Sequence, residues 1–117
     1  MEIKIKRTYD PAEPGDGFRV LVDRLWPRGL SHENFHYDLW EKRLAPSREL
    51  REWFHADPAA RWNEFAARYR AELQHNPALP DFVRALAPHP VVTLLYSSRN
   101  PAANNALVLR DLLQSPR

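Results

Sequence analysis

The feature that most constrains the fold is a pair of short apolar segments that lie far apart in the chain. Residues 20–22 and residues 91–96 carry apolar side chains at adjacent positions rather than at every second one. This pattern is typical of strands that are covered on both faces, as in parallel sheets. Parallel strands need a long crossover connection, and a largely helical pattern separates these two segments. We therefore expect them to be central strands of a parallel sheet with helices on both faces.

Alternating residues, prolines and capping residues mark the other boundaries. Residues 2–9 alternate as in a strand, a polar loop follows at residues 10–17, and the second strand begins near Phe18. Proline is favoured in the first turn of a helix and commonly follows its end, and Ser, Asp and Asn are common caps. We expect helices over residues 37–43, after Ser47, from Asp57-Pro58 to Asn76-Pro77, over residues 79–87, and from Asn100-Pro101 to about Leu113.

These elements predict a small α/β fold made of one domain over residues 1–117. The chain has 117 residues and is 44% apolar, which is enough for one core and too little for two. We expect a central parallel or mixed sheet of about three to four strands flanked by helices. A right-handed crossover between the parallel strands is strongly preferred.

Composition narrows the classes of function. The chain has no cysteine, a formal net charge of +2 and three glycines, so neither thiolate metal sites nor a glycine-rich phosphate loop is expected. His32 and His36 are four residues apart, but no third metal ligand is evident. No run approaches the roughly 20 apolar residues that cross a bilayer. We predict a cytoplasmic protein with no metal, no cofactor and no membrane partner; its oligomeric state stays open.

Charged and aromatic residues follow both central strands. Asp-Arg-Leu-Trp-Pro-Arg-Gly occupies residues 23–29, and Ser-Ser-Arg-Asn-Pro occupies residues 97–101. Ligands of parallel sheets bind outside the carboxyl ends of the strands, where the connecting loops diverge. We therefore predict an anion-binding crevice with Trp26 as a stacking surface. Its anion-binding residues would be Arg24, Arg28, Ser97, Ser98 and Arg99.

Two residues are weak candidates for acid–base catalysis. His55 ends a predicted short helix, where a histidine also interacts favourably with the last carbonyl groups. Asp23 is the only carboxylate expected at the crevice, and arginines around it would keep it ionised and occupied in orienting them. The alternative for this loop is structural: Asp23 and Arg24 form a buried ion pair, and Trp26 belongs to the core.

Four segments of the chain resemble one bacterial family. They are the Asp-Arg-Leu-Trp-Pro-Arg-Gly string, Leu-Ala-Pro-Ser at 44–47, Leu-Arg-Glu-Trp-Phe-His at 50–55 and Val-Thr-Leu-Leu-Tyr at 92–96. On these residues the chain is similar to the YeaO-like proteins, a domain of unknown function. The resemblance implies an architecture and a set of signature positions without naming a reaction. Those positions are Arg19, Asp23, Arg24, Trp26, Arg28, Gly29, Trp53, Phe54, Arg68, Tyr69 and Asn104.

Three functions are consistent with these patterns. The first is a binding protein or enzyme for a small phosphorylated or carboxylated molecule. The arginines would bind this molecule, and Trp26 and Asn104 would stack on it or orient it. The second is a nucleic-acid or nucleotide-interacting module, although a few surface arginines alone would bind nucleic acid only weakly and in a salt-dependent way. The third is a protein-interaction domain that uses surplus aromatic residues. Whether the protein is an enzyme is left open by the sequence.

Overall fold

The fold is a four-stranded parallel sheet with four helices, seen in a computed structural model that describes residues 1–115. The strands are β1 (Glu2–Arg7), β2 (Phe18–Leu21), β3 (Leu39–Trp40) and β4 (Val91–Tyr96). The helices are α1 (Arg48–Ala56), α2 (Pro58–Gln74), α3 (Ala78–Leu86) and α4 (Asn105–Gln114), with 3-10 turns at Pro14–Asp16 and Lys42–Leu44. The spatial order is β1-β4-β2-β3, and every neighbouring pair is parallel. The predicted α/β class is therefore confirmed, and β2 and β4 are the central strands.

All four helices pack against one face of the sheet. Alternate residues of the strands, such as Ile3, Val20 and Leu94, join buried residues of α1, α2, α3 and α4 in one core cluster. The period of two in a strand explains the pattern, because every second side chain points to the same face. This cluster contains Phe82 and Tyr69, both with no exposed surface.

The opposite face is covered by an irregular loop, so the expectation of helices on both faces was wrong. Leu21 and Leu95 point to this face and pack with Phe35 in a second, smaller cluster. β2 and β3 are parallel neighbours, so the chain between them must cross over the sheet. Residues 22–38 make this crossover and bring Trp26 onto the second face. Continuous apolar strands thus indicated two covered faces correctly, without indicating what covers them.

A buried ion pair also lies on this second face. Arg19 is 2% exposed, and its guanidinium donates to the Asp16 carboxylate at 2.5 Å and to the His36 carbonyl oxygen at 2.8 Å. The Arg19 signature position therefore connects β2 to the loops on either side of it.

Capping residues account for most helix boundaries. The Ser47 side chain accepts from Leu50 N–H at 3.2 Å, and Asp57 accepts from Ala60 N–H at 3.4 Å, which confirms the predicted starts of α1 and α2. Two predictions about helices were wrong, one over residues 37–43 and one at the start of the last helix. Residues 37–43 are not a helix, because Leu39–Trp40 pairs with β2 instead.

The last helix begins four residues later than expected. The side chain of Asn100 accepts from Ala102 N–H at 2.9 Å and so closes a local turn instead of starting a helix. Asn104 is the actual cap of α4 and accepts from Leu107 N–H at 2.9 Å. Among the helices of residues 1–115, none is long and apolar enough to cross a membrane.

Candidate functional site

A cleft of about 430 Å³ opens at the carboxyl edge of the sheet. The ends of β2 and β4, the helix α1 and the start of α4 all contribute to its walls. This is the position expected for a ligand site in a parallel sheet. The residues that the sequence predicted here and that line the cleft are Asp23, Arg24, Trp26, Arg28, His55, Ser97, Ser98 and Asn104.

Three arginines line the cleft: Arg24, Arg28 and Arg51. Arg24 and Arg28 are exposed, and Arg51 is partly buried on α1. Arg24 donates to the Pro46 carbonyl oxygen at 3.2 Å, whereas the guanidinium groups of Arg28 and Arg51 form no hydrogen bond or ion pair with residues 1–115. Two of the three charges are thus available to a ligand.

A glycine-dependent turn holds Arg28 at the cleft. Leu30 N–H donates to the Pro27 carbonyl oxygen at 3.3 Å, and Gly29 has a φ of 83°, a value that side chains other than glycine rarely tolerate. The Tyr9 hydroxyl donates to the Arg28 carbonyl oxygen at 2.8 Å and ties this turn to the loop after β1. The backbone of Arg28 is fixed from both sides while its side chain stays exposed.

Asp23 lies two residues after the end of β2, and the groups that bind its carboxylate are not arginines. Its carboxylate accepts from Ser97 N–H at 2.8 Å and from the Asn105 side-chain amide at 3.1 Å. Burial raises the pKa of Asp23, although these hydrogen bonds oppose the shift. The expectation that arginines keep this carboxylate ionised was therefore wrong, because no cationic group among residues 1–115 forms an ion pair with it. The alternative Asp23–Arg24 ion pair does not form either.

The raised pKa of Asp23 makes stability depend on pH. The folded protein holds this proton more tightly than the unfolded chain, so the contribution is fully present below the ordinary value of 3.8 and is lost as the pH rises through the folded pKa. We expect the free energy of unfolding of the wild type to fall relative to Asp23→Asn as the pH increases through this range. Denaturant melts at a series of pH values measure both free energies of unfolding, and the exposed Asp111→Asn is the control. If the stability of the wild type rose relative to Asp23→Asn with increasing pH, the raised pKa of Asp23 would be contradicted.

The floor of the cleft is apolar. Phe54 of α1 and Phe65 of α2 are buried and stacked, with ring centroids 4.3 Å apart. Ala45 and Pro46 extend this surface. His55 follows Phe54 in the last turn of α1 and is exposed at the cleft. A ligand with an apolar part would therefore meet aromatic rings next to the arginines.

The wall formed by α4 and the loop before it is polar. Ser97 and Ser98 follow β4, and Asn104 and Asn105 begin α4. The Asn105 amide donates to both the Asp23 carboxylate and the Val22 carbonyl oxygen, each at 3.1 Å, so its orientation is fixed. The dipole of α4 adds partial positive charge to this wall.

Two predicted site residues have a different place from the one expected. Trp26 borders the cleft, but its ring packs edge-on against Phe35 and Trp40, with centroids 5.5 and 5.6 Å away, and its N–H donates to the Leu30 carbonyl oxygen at 2.6 Å. It is mainly a packing residue of the second face. Arg99, which also belongs to the described residues, is exposed and does not line the cleft.

Sequence reasoning missed Arg51, Asn105 and Tyr9 as residues of this cleft. A usable pattern was present for Arg51, since Arg51 and His55 are four residues apart in one helix and so share a face. Tyr9 and Asn105 gave no such pattern, because their place depends on how the loops after β1 and before α4 fold. For residues 1–115, no group of histidine, cysteine, aspartate and glutamate side chains is arranged to hold a metal ion.

Comparison with known proteins identifies the family. The model of a family described as "Inactive DUF488-N3 subclade" matches residues 2–116. Uncharacterized protein YeaO of Escherichia coli (strain K12) is 44% identical over 115 residues, which cover 98% of this chain and 99% of that protein. Uncharacterized protein Rv3073c of Mycobacterium tuberculosis is 43% identical over 111 residues, covering 95% and 92% of the two chains. No solved structure matches the chain. The resemblance to YeaO-like proteins is confirmed, and the chain belongs to the inactive DUF488-N3 subclade.

Proposed function

We propose that this protein binds a small organic anion, carrying a phosphate or carboxylate group, in the cleft at the carboxyl edge of the sheet. One observation supports the proposal most strongly: Arg28 and Arg51 reach the cleft with guanidinium groups that form no hydrogen bond or ion pair within residues 1–115. Arginine is suited to this role because its planar group donates two parallel hydrogen bonds to a carboxylate or a phosphate.

Size and polarity support a small molecule over a macromolecule. Pockets for small ligands commonly measure about 300–1,000 Å³, are largely apolar and contain a few convergent polar groups. The cleft measures about 430 Å³ and combines the Phe54–Phe65 floor with three arginines and one carboxylate. A flat row of arginines would suit a nucleic-acid backbone better than this concave arrangement does.

The description of the family favours binding without catalysis. The matching family is described as an inactive subclade. Within the cleft, the acid–base candidates Asp23 and His55 are not joined by a hydrogen bond in the described part of the chain. Asp23 instead bonds to Ser97 and Asn105, which leaves no oriented pair for proton transfer.

The arginine of α1 provides a direct test. We expect Arg51→Ala to weaken the binding of inorganic phosphate about tenfold or more, because a hydrogen bond to a charged group contributes roughly 1.5–3 kcal/mol. Titration calorimetry at low salt measures the affinity. Arg84→Ala on the remote helix α3 is the matched control and should bind as the wild type does. The proposal fails if the wild type binds neither phosphate nor small carboxylates, or binds duplex DNA more tightly than either.

A further inference from the structure

An anion held by the arginines would not account for the one acidic group of the cleft, the carboxyl group of Asp23. It is the single carboxylate among the residues that line the cleft. Its burial raises its pKa, and no cationic side chain of residues 1–115 is paired with it. A partly buried carboxylate that lacks a cation depends on its hydrogen bonds and is stabilised further where something else supplies a positive charge. The bound molecule is in a position to do so.

The geometry leaves Asp23 able to accept a further hydrogen bond. Its Oδ2 accepts from Ser97 N–H and its Oδ1 accepts from the Asn105 amide. A carboxylate offers about four acceptor positions, and a hydrogen bond from the Ser97 side chain also lowers the pKa of Asp23, so roughly one position stays free. Asn105 is itself held by the Val22 carbonyl oxygen at 3.1 Å, which fixes the carboxylate from the side of α4. Asp23 is also among the residues that line the cleft.

The charged residues of the cleft differ in exposure. Arg24 and Arg28 are exposed, whereas Asp23 and Arg51 are partly buried. The Phe54–Phe65 floor also lines the cleft. A molecule with an anionic group at one end and a donor at the other would match all three parts.

We propose that the ligand is an aminated organic anion, whose protonated amine donates to Asp23 while its phosphate or carboxylate contacts the arginines. This proposal rests on the proposed function and narrows its ligand class. It requires N–H groups on the cation, because a quaternary ammonium carries the same charge but has no hydrogen to donate.

Matched probes test the proposal on the wild-type protein. Phosphoethanolamine and aminobutyl phosphate each carry an ammonium group, and their N-trimethylated counterparts carry the charge without N–H groups; phosphocholine is the counterpart of the first. We expect at least one ammonium probe to bind about tenfold or more tightly than its trimethylated counterpart. Equal affinities within both pairs would overturn the proposal. In that case, binding of inorganic phosphate would still support the proposed function, whereas no binding of any phosphate would remove both.

A variant tests whether Asp23 causes the tighter binding of the ammonium probes. Asp23→Asn should bind each ammonium probe no more tightly than its trimethylated counterpart while still binding inorganic phosphate, and the exposed Asp111→Asn should keep the wild-type preference. If Asp23→Asn does not fold, the carboxyl ¹³C resonance of Asp23 in the wild type replaces it. That resonance should move with the ammonium probe and stay unchanged with the trimethylated one. A preference that persists in Asp23→Asn, or a resonance that responds equally to both probes, would overturn the proposal.

Discussion

Replacing Gly17 by alanine is expected to lower the free energy of unfolding by more than about 3 kcal/mol. Gly17 has a φ of 65°, and an added Cβ would lie 2.9 Å from the carbonyl carbon of Val91. Side-chain-bearing residues strongly disfavour this backbone conformation, at roughly 1–3 kcal/mol. The overlap adds to this strain because Val91 begins the central strand β4, pairs with Glu2 of β1 and cannot retreat without disturbing that pairing. A denaturant melt measures the loss.

Gly29 is the matched control for Gly17. It also has a positive φ, 83°, but no atom lies within 4 Å of the position that a Cβ would take. Gly29→Ala should therefore show the conformational strain alone, at roughly 1–2 kcal/mol. If the two variants lost the same stability, the close approach of Gly17 to β4 would contribute nothing. Gly29→Ala should also disturb the turn that presents Arg28 and so weaken anion binding.

Three of the four strands and most helices could be predicted, because local chemistry decides them. Ser47 and Asp57 cap their helices with their own side chains, and the apolar residues of β2 and β4 need burial whatever else the chain does. The error at residues 37–43 came where a distant partner decides. Leu39–Trp40 becomes a strand only because β2 offers an open edge, and nothing local in residues 37–43 indicates that edge.

The candidate site was predictable to the level of the sheet edge and no further. Parallel strands bring Asp23 and Ser97 to one place, and the backbone of Ser97 indeed donates to the Asp23 carboxylate at 2.8 Å. The predicted partners of that carboxylate were wrong because they depend on where the arginines extend. Arg24 turns towards the Pro46 carbonyl oxygen, so burial rather than a cation sets the direction of the pKa shift.

We expect the signature string Asp-Arg-Leu-Trp-Pro-Arg-Gly to contain both structural and binding residues, and Trp26 tests the structural role. Trp26 packs with Phe35, Tyr37 and Trp40 over the second face of the sheet, where no helix takes part. Trp26→Ala should lower the free energy of unfolding by roughly 3 kcal/mol, the lower end for tryptophan truncation because the ring is only partly buried. Denaturant melts with and without phosphate measure stability and binding together.

Arg28, two residues after Trp26, tests the binding role of the signature string. Its guanidinium makes no hydrogen bond or ion pair with residues 1–115, so Arg28→Ala should change the free energy of unfolding by no more than about 0.5 kcal/mol, as for an ordinary surface substitution. The same variant should lose the stabilisation that phosphate gives the wild type, because a ligand raises stability only in proportion to its binding of the folded state. If Arg28→Ala proved as destabilising as Trp26→Ala, the arginine would be a structural residue, and the proposed site would keep only Arg51 as an unpaired arginine.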